Sequence, residues 1–200
     1  IMAYISFKPT NNFNTITYAG TGSSQSITGV GFQPDFTWVK DRGNTEDNSL
    51  WDVTQGAAYY VSSNGNWATS NMANGLTAWG ADGFTAGGNN STNNSGRNYV
   101  AWNWKMGTTS GLSGGTLTPT SYSINTTAKQ GVYKYTGTGS IATIAHGLGQ
   151  APSAIFIKKL SGTDSWASYQ ETAGNTKCLA LDTSASLETG AGFWGNTSPT

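Results

Sequence analysis

Asn98-Tyr99-Val100-Ala101-Trp102-Asn103-Trp104 decides the fold class. The stretch is rich in aromatic and β-branched residues, the composition of a strand. In an extended chain Tyr99, Ala101 and Asn103 share one face, while Val100, Trp102 and Trp104 share the other, which is the expected core face. Working outward, Asp35–Lys40, Val132–Tyr135 and Ser153–Lys158 read as further strands. Turn signals separate them: Asn64-Gly65, Asn74-Gly75, Asp82-Gly83 and Gly87-Gly88. No stretch sustains a helical period, and Gln55–Tyr60 is the one place where a single helical turn is expected. The fold class is therefore all-β: tandem antiparallel β-sandwich repeats, jelly-roll-like, with little or no helix.

Composition agrees. Charged residues make up 10% of the 200 positions, against about 25% in ordinary globular chains. Glycine occurs 27 times, and the residues that surface helices are scarce. The formal net charge is +0 and the ten Lys and Arg are scattered, so no basic stripe is present to neutralise phosphates or anionic lipid. Neither nucleic acid nor membrane insertion is expected, since no run approaches a roughly 20-residue apolar span. Cys178 is the single cysteine and lies in an apolar run, which predicts a buried strand residue rather than a disulfide or zinc ligand. Ile1–Phe7 is too short and lacks the basic flank of a signal peptide, so export by another route, such as lysis, is expected.

An internal repeat organises the chain. Tyr18-Ala19-Gly20-Thr21-Gly22-Ser23 matches Tyr135-Thr136-Gly137-Thr138-Gly139-Ser140. Gly29-Val30-Gly31-Phe32-Gln33-Pro34 matches Gly147-Leu148-Gly149-Gln150-Ala151-Pro152, and strands ending Trp38-Val39-Lys40 and Phe156-Ile157-Lys158 follow. Leu50-Trp51 with Gly56 matches Ser168-Tyr169 with Gly174, and Trp79-Gly80 matches Trp194-Gly195. Four segments follow: an N-terminal segment (1–15), a first β-sandwich repeat (16–106), a Gly/Ser/Thr-rich connection (107–119) and a second repeat (120–200) that is incomplete at its C-terminal end. The second copy has no counterpart of Asn98–Trp104, so the natural protein is expected to continue past Thr200.

Phe13-Asn14-Thr15, Tyr18–Gly22, Gly29–Lys40, Gly75–Ala78, Asp82-Gly83-Phe84, Asn98–Lys105 and Trp194–Thr200 together resemble a repeat domain of phage tail-fibre-like virion structural proteins. The likeness covers nearly the whole chain, and Met2–Phe7 looks like the start of such a protein. It implies a concanavalin-A-like, lectin-like jelly roll and a tail-fibre or virion role, with no catalytic residues to carry over. It implies a location on the virion surface, extracellular after release. The implied partners are other virion or filament subunits in a homo-oligomer, with a trimer considered, and a host-surface glycan. The alternative is a passive capsid-decorating or extracellular filament-forming protein.

His146 is the only histidine and stands where the first copy has Thr28, so a turn or sheet-end role is expected. The ten acids are dispersed and lack the Glu-x-Asp-x-x-Glu pattern of jelly-roll glucanases, so no enzyme is expected. No cofactor is expected; Ca2+ is the one ion considered, through the oxygen-rich loops Asp41–Asp47 and Asn89–Asn94. Trp38, Trp102 and Trp104 are expected in the core. Trp67 and Trp79, near Asn-Gly turns, are the candidate carbohydrate-binding residues, since an indole can stack on an apolar sugar face.

Overall fold

The computed structural model describes residues 8–190 and 192–200. The expectation for Met2–Phe7 lies outside the described residues. The first stretch forms β1 (Phe13–Ala19), β2 (Gln25–Ile27), β3 (Phe36–Asp41), β4 (Ser49–Asp52), β5 (Tyr59–Ser62), β6 (Ser70–Asn71), β7 (Leu76–Gly80), β8 (Gly83–Ala86) and β9 (Asn98–Trp104). A six-stranded sheet runs β1-β9-β3-β4-β5-β6, and a three-stranded sheet runs β2-β8-β7. Every strand pairing is antiparallel. Among the described residues, regular helix is confined to the short 3-10 turns Pro9–Asn11 and Glu171–Ala173. The stretch Gln55–Tyr60 is divided: the Gln55 and Gly56 N–H groups close a turn on the Asp52 carbonyl, whereas Tyr59 and Tyr60 already belong to β5.

The two sheets face each other across the main core. Val39, Trp51, Tyr99 and Ala101 come from the larger sheet; Ile27, Leu76, Phe84 and Ala86 come from the smaller. Removing these apolar side chains from water is the main stabilising term. The Asp82-Gly83 turn closes the smaller sheet. Gly83 has φ +143, and a side chain there would run into the Ile27 carbonyl on β2. The Asp82 carboxylate accepts N–H bonds from Gly29 (3.0 Å) and Gly31 (2.5 Å).

The face assignment of β9 is corrected. Tyr99, Ala101 and Asn103 are fully buried, and Val100, Trp102 and Trp104 are only half-buried. The narrow face points between the sheets, where a row of indoles would overfill the space. Asn103 is tolerated there because its amide bonds the Thr37 hydroxyl (3.0 Å) and the carbonyls of Asn14 (3.3 Å) and Ala101 (3.2 Å). The tryptophans stack on the outer face instead, Trp38 on Trp102 (5.8 Å) and Trp104 between Phe13 (4.9 Å) and Phe36 (5.0 Å). Trp38, Trp102 and Trp104 therefore form a half-buried layer outside the main core.

The second stretch forms β10 (Ser121–Asn125), β11 (Gln130–Lys134), β12 (Ala154–Ile157), β13 (Ala167–Gln170), β14 (Lys177–Cys178) and β15 (Glu188–Thr189), paired as β10-β11, β12-β13 and β14-β15. Its registers repeat those of the first stretch at one displacement, 118 positions. Trp38 faces Leu50 and Phe156 faces Ser168 (38 to 156, 50 to 168). Tyr59 faces Asn71 and Lys177 faces Thr189; Leu50 faces Val61 and Ser168 faces Leu179. Backbone bonds outside the strands follow suit. Val53 N–H reaches the Asp35 carbonyl and Glu171 N–H that of Ser153, both at 2.9 Å, while Met72 to Ala58 has its counterpart in Gly190 to Thr176.

Between the stretches, residues 107–119 hold no named strand but are tied down. Thr108 pairs with Ile124, and the Thr116 and Leu117 N–H groups bond the Thr143 carbonyl. The buried Asp35 carboxylate accepts from Met106 N–H (2.8 Å) and the Ser123 hydroxyl (2.9 Å), pinning β10 to the first stretch. A second, smaller core joins Leu50 and Val61 to Trp166, flanked by Phe36, Trp38 and Leu160. The Trp166 indole N–H donates to the Ser62 carbonyl at 2.8 Å.

Candidate functional site

The loop between β5 and β6 meets the loop between β12 and β13. Thr69 N–H donates to the Leu160 carbonyl and Asp164 N–H to the Asn66 carbonyl, each at 3.0 Å. Beside this seam an open groove of about 350 Å³ is lined by Gln55, Tyr59, Thr69, Lys134, Leu160 and Ser161. Tyr59 begins β5 and is 45% exposed. Gln55 is fixed: its amide donates to the Asp52 carboxylate (2.7 Å) and accepts from the Thr69 hydroxyl (2.8 Å). An exposed phenol ring beside an ammonium and a hydroxyl can stack a flat apolar face and hydrogen-bond its polar rim.

Trp67 sits in the same β5–β6 loop and is 36% exposed. Its ring lies over the α-carbon of Gly65, so the Asn-Gly turn both positions the indole and leaves room for it. Trp79 lies on β7 in the other sheet, half-buried and packed against the main core. Its indole N–H is buried without a hydrogen-bond partner. The two tryptophans thus belong to different segments, and the groove lining includes neither. Tyr59 was not among the residues singled out from sequence. Its signal was the aromatic pair Tyr59-Tyr60 opening a strand, hidden inside the stretch read as a turn.

The oxygen-rich loops are engaged internally. Asp41 ends β3, fully buried, and accepts from Gly43 N–H (2.9 Å), Asn44 N–H (3.1 Å) and Arg97 (3.1 Å). Arg97 also pairs with Glu46 at 2.6 Å. Burial pushes the Asp41 carboxyl up, but these hydrogen bonds outweigh it and hold the group below its ordinary value. In the Asn89–Asn94 loop, Asn93 is fully buried; it accepts from Thr21 N–H (2.8 Å) and Gln25 (2.7 Å) and donates to the Ser23 carbonyl (2.5 Å). Among the described residues no three His, Cys, Asp or Glu side chains converge as metal ligands.

Burial and the neighbouring Tyr99 push the Tyr18 phenol far above its ordinary value; its hydroxyl donates to the Thr92 carbonyl at 2.6 Å. His146 Nδ1 accepts the Leu148 N–H at 3.1 Å, and its carbonyl accepts from Tyr133. Cys178 is buried on β14. A second open cleft, about 530 Å³, lies where Lys105 and Met106 leave β9 and pass Tyr122. Its one carboxylate, Asp35, is committed to the Met106 and Ser123 bonds.

No curated protein and no solved structure matches the chain. One family model does match, over residues 8–200, and the chain belongs to the family it describes, a domain of unknown function (DUF7483).

Proposed function

We propose that the chain is a structural module of a phage virion, tail-fibre-like, made of two copies of one β-sandwich unit that build and present surface rather than transform a molecule. The jelly-roll designation and the location on the virion, extracellular after release, belong to the same proposal. The observation that carries it is the repetition of strand register: β3-β4-β5-β6 and β12-β13-β14-β15 pair residue for residue at one displacement. Repeated units stacked along one chain give length and area, the property a fibre needs. Buried or turn-closing polar residues support the reading, since Asp41, Asp35, Asp82 and Asn93 hold turns and junctions together. The resemblance described above supplies the virion context.

A host-surface glycan is the proposed ligand, taken in the groove by Tyr59, with Lys134 and Ser161 offering hydrogen bonds and the exposed Trp67 of the β5–β6 loop as a separate contact outside the groove lining. Trp79 is the weaker contact, because its ring is turned to the core. Glycan-array or host-cell binding by the chain tests this. Binding that falls at least about tenfold, roughly 1.4 kcal/mol, in Trp67→Ala or Tyr59→Ala supports it. Absence of binding to any glycan or host cell overturns the receptor role.

The alternative, passive capsid decoration or filament formation, is favoured by one feature: β12 presents a free edge, with Phe156 53% exposed. Imaging of the intact assembly separates the two. Copies ordered in a lattice over the particle, or along a filament, support the passive role, and copies on a projecting fibre support the first.

A further inference from the structure

The two stretches differ at one position in the sheet. In the first, β9 lies between β1 and β3 and pairs with both. In the second, β11 and β12 are the counterparts of β1 and β3, yet among the described residues β11 pairs with β10 alone and β12 with β13 alone. The consequence is visible in burial. Along β3, half-buried and fully buried residues alternate; along β12, exposed and half-buried residues do. Trp38 faces Trp102 at 5.8 Å. Its counterpart Phe156 has no ring partner and is 53% exposed. Val39 is fully buried against Ala101 of β9, whereas Ile157 is half-buried.

We infer that the second stretch carries a strand position beside β12, on the edge opposite β13, that takes an extended peptide segment with the alternation of β9. The inference rests on the two-unit reading and not on a virion role. The first stretch defines the occupant. Trp38 is met by Trp102, Val39 by Ala101, Thr37 by Asn103 and Lys40 by Val100, in an antiparallel run. Carried over at the same displacement, an aromatic side chain lies opposite Phe156, a small one opposite Ile157, a small polar one opposite Ile155 and a β-branched one opposite Lys158. The backbone N–H and C=O groups of the open edge supply affinity, and this side-chain alternation supplies selectivity.

The test adds a synthetic peptide with the sequence of residues 97–106 to the whole chain and follows backbone amide exchange. Saturating peptide slows exchange across Ala154–Ile157 by at least about tenfold. Exchange across Phe36–Asp41 stays unchanged, because β9 already fills that position. A peptide with Ala101→Trp and Trp102→Asp, which reverses the alternation, gives no protection. Unchanged exchange at Ala154–Ile157, equal protection by the altered peptide, or protection without peptide that grows with chain concentration each overturns the inference; the last would assign the edge to a second copy. The pairing of Phe156 with Ser168, read from cross-strand NMR contacts in the same sample, separates the failures. If that register holds while the peptide fails, the strand position falls and the two-unit reading stands. If the register is absent, the two-unit reading falls.

Discussion

The hairpins β3–β4 and β12–β13 are one arrangement in two settings. Their registers coincide at a constant displacement, with Trp38 opposite Leu50 and Phe156 opposite Ser168. Their surroundings do not. β3 is flanked by β9 and packs, with β4, under the three-stranded sheet; among the described residues β12 has one strand neighbour. Register therefore follows from the hairpin and its turns, which each stretch carries whole, whereas burial depends on elements distant in sequence. Stability concentrates accordingly in the first stretch. The largest test of this pairs Trp51 with its counterpart Tyr169. Trp51 lies fully buried in the main core, and Trp51→Ala is expected to cost about 3–5 kcal/mol. Tyr169 is also buried, with Trp194 edge-on at 5.4 Å, but belongs to neither of the two apolar cores. Its surroundings can collapse into the space, so Tyr169→Ala is expected to cost about 2 kcal/mol or less. Urea unfolding followed by fluorescence measures both, and equal losses would break the comparison.

Acid sharpens the contrast next. The position of Asp41 in the first stretch is held by Lys159 in the second (41 to 159, the displacement of the hairpins). The folded-state value of Asp41 lies below its ordinary 3.8, held there by Gly43, Asn44 and Arg97 against the cost of burial. The stabilisation from a depressed carboxyl is complete above its unfolded value and is lost as pH falls through the folded one. Lys159 instead pairs with Asp164 at 2.7 Å with both side chains more than half exposed, an arrangement worth little. Lowering the pH below 3.8 should therefore loosen the first stretch more than this exposed pair loosens the second. Amide exchange of β3 and β12 across pH 5 to 2.5, compared through intrinsic-rate correction, reads the difference. Asp41→Asn, which keeps an acceptor for the turn but no titrating group, should flatten the response of β3; an unchanged response would remove Asp41 from the account.

Much of the strand content was legible because alternation and turn chemistry are local. The bounds of β9 coincide with the stretch Asn98–Trp104, and β3 lies within one residue of Asp35–Lys40 at each end. Which face of β9 turns inward was not legible. Periodicity groups Val100, Trp102 and Trp104 on one side but does not say that Phe84 and Leu76 will close over the other. Asn103 looked solvent-facing because its partners Thr37 and Asn14 are contributed by other strands. The Arg97–Asp41–Glu46 cluster joins residues more than 50 positions apart, which no spacing rule reaches. Of the candidate sugar contacts, the exposed Trp67 followed from its Asn-Gly turn. The seam that places Tyr59 near Lys134 depends on how the two stretches dock.

Where the two stretches agree, a matched pair of substitutions should agree too. Gly56 has φ +88 and Gly174 φ +82, both with open space where a side chain would go. The N–H of Gly56 bonds the Asp52 carbonyl and that of Gly174 the Gln170 carbonyl, each at 3.1 Å. Alanine at either position meets only backbone strain, about 1–2 kcal/mol. Gly56→Ala and Gly174→Ala should therefore cost the same within error by thermal or urea unfolding. A clear difference would show that the turns are held by their surroundings and not by the copied local sequence.

The smallest expected effect is at Phe156. A half-exposed ring with no aromatic neighbour leaves water little more when replaced by serine, so Phe156→Ser should change stability by no more than about 0.5 kcal/mol. Trp38→Ser, in the equivalent position, removes a ring that Trp102 and the Leu50–Val61–Trp166 cluster both contact, and should cost several times more. Added β9 peptide converts the quiet position into a sensitive one. If Phe156 gains an aromatic partner, Phe156→Ser weakens peptide protection of β12 while leaving the free chain's unfolding midpoint almost unmoved. A substitution silent in the free chain and damaging in the complex marks a surface built to be covered, and a substitution equally silent in both marks an ordinary exposed edge.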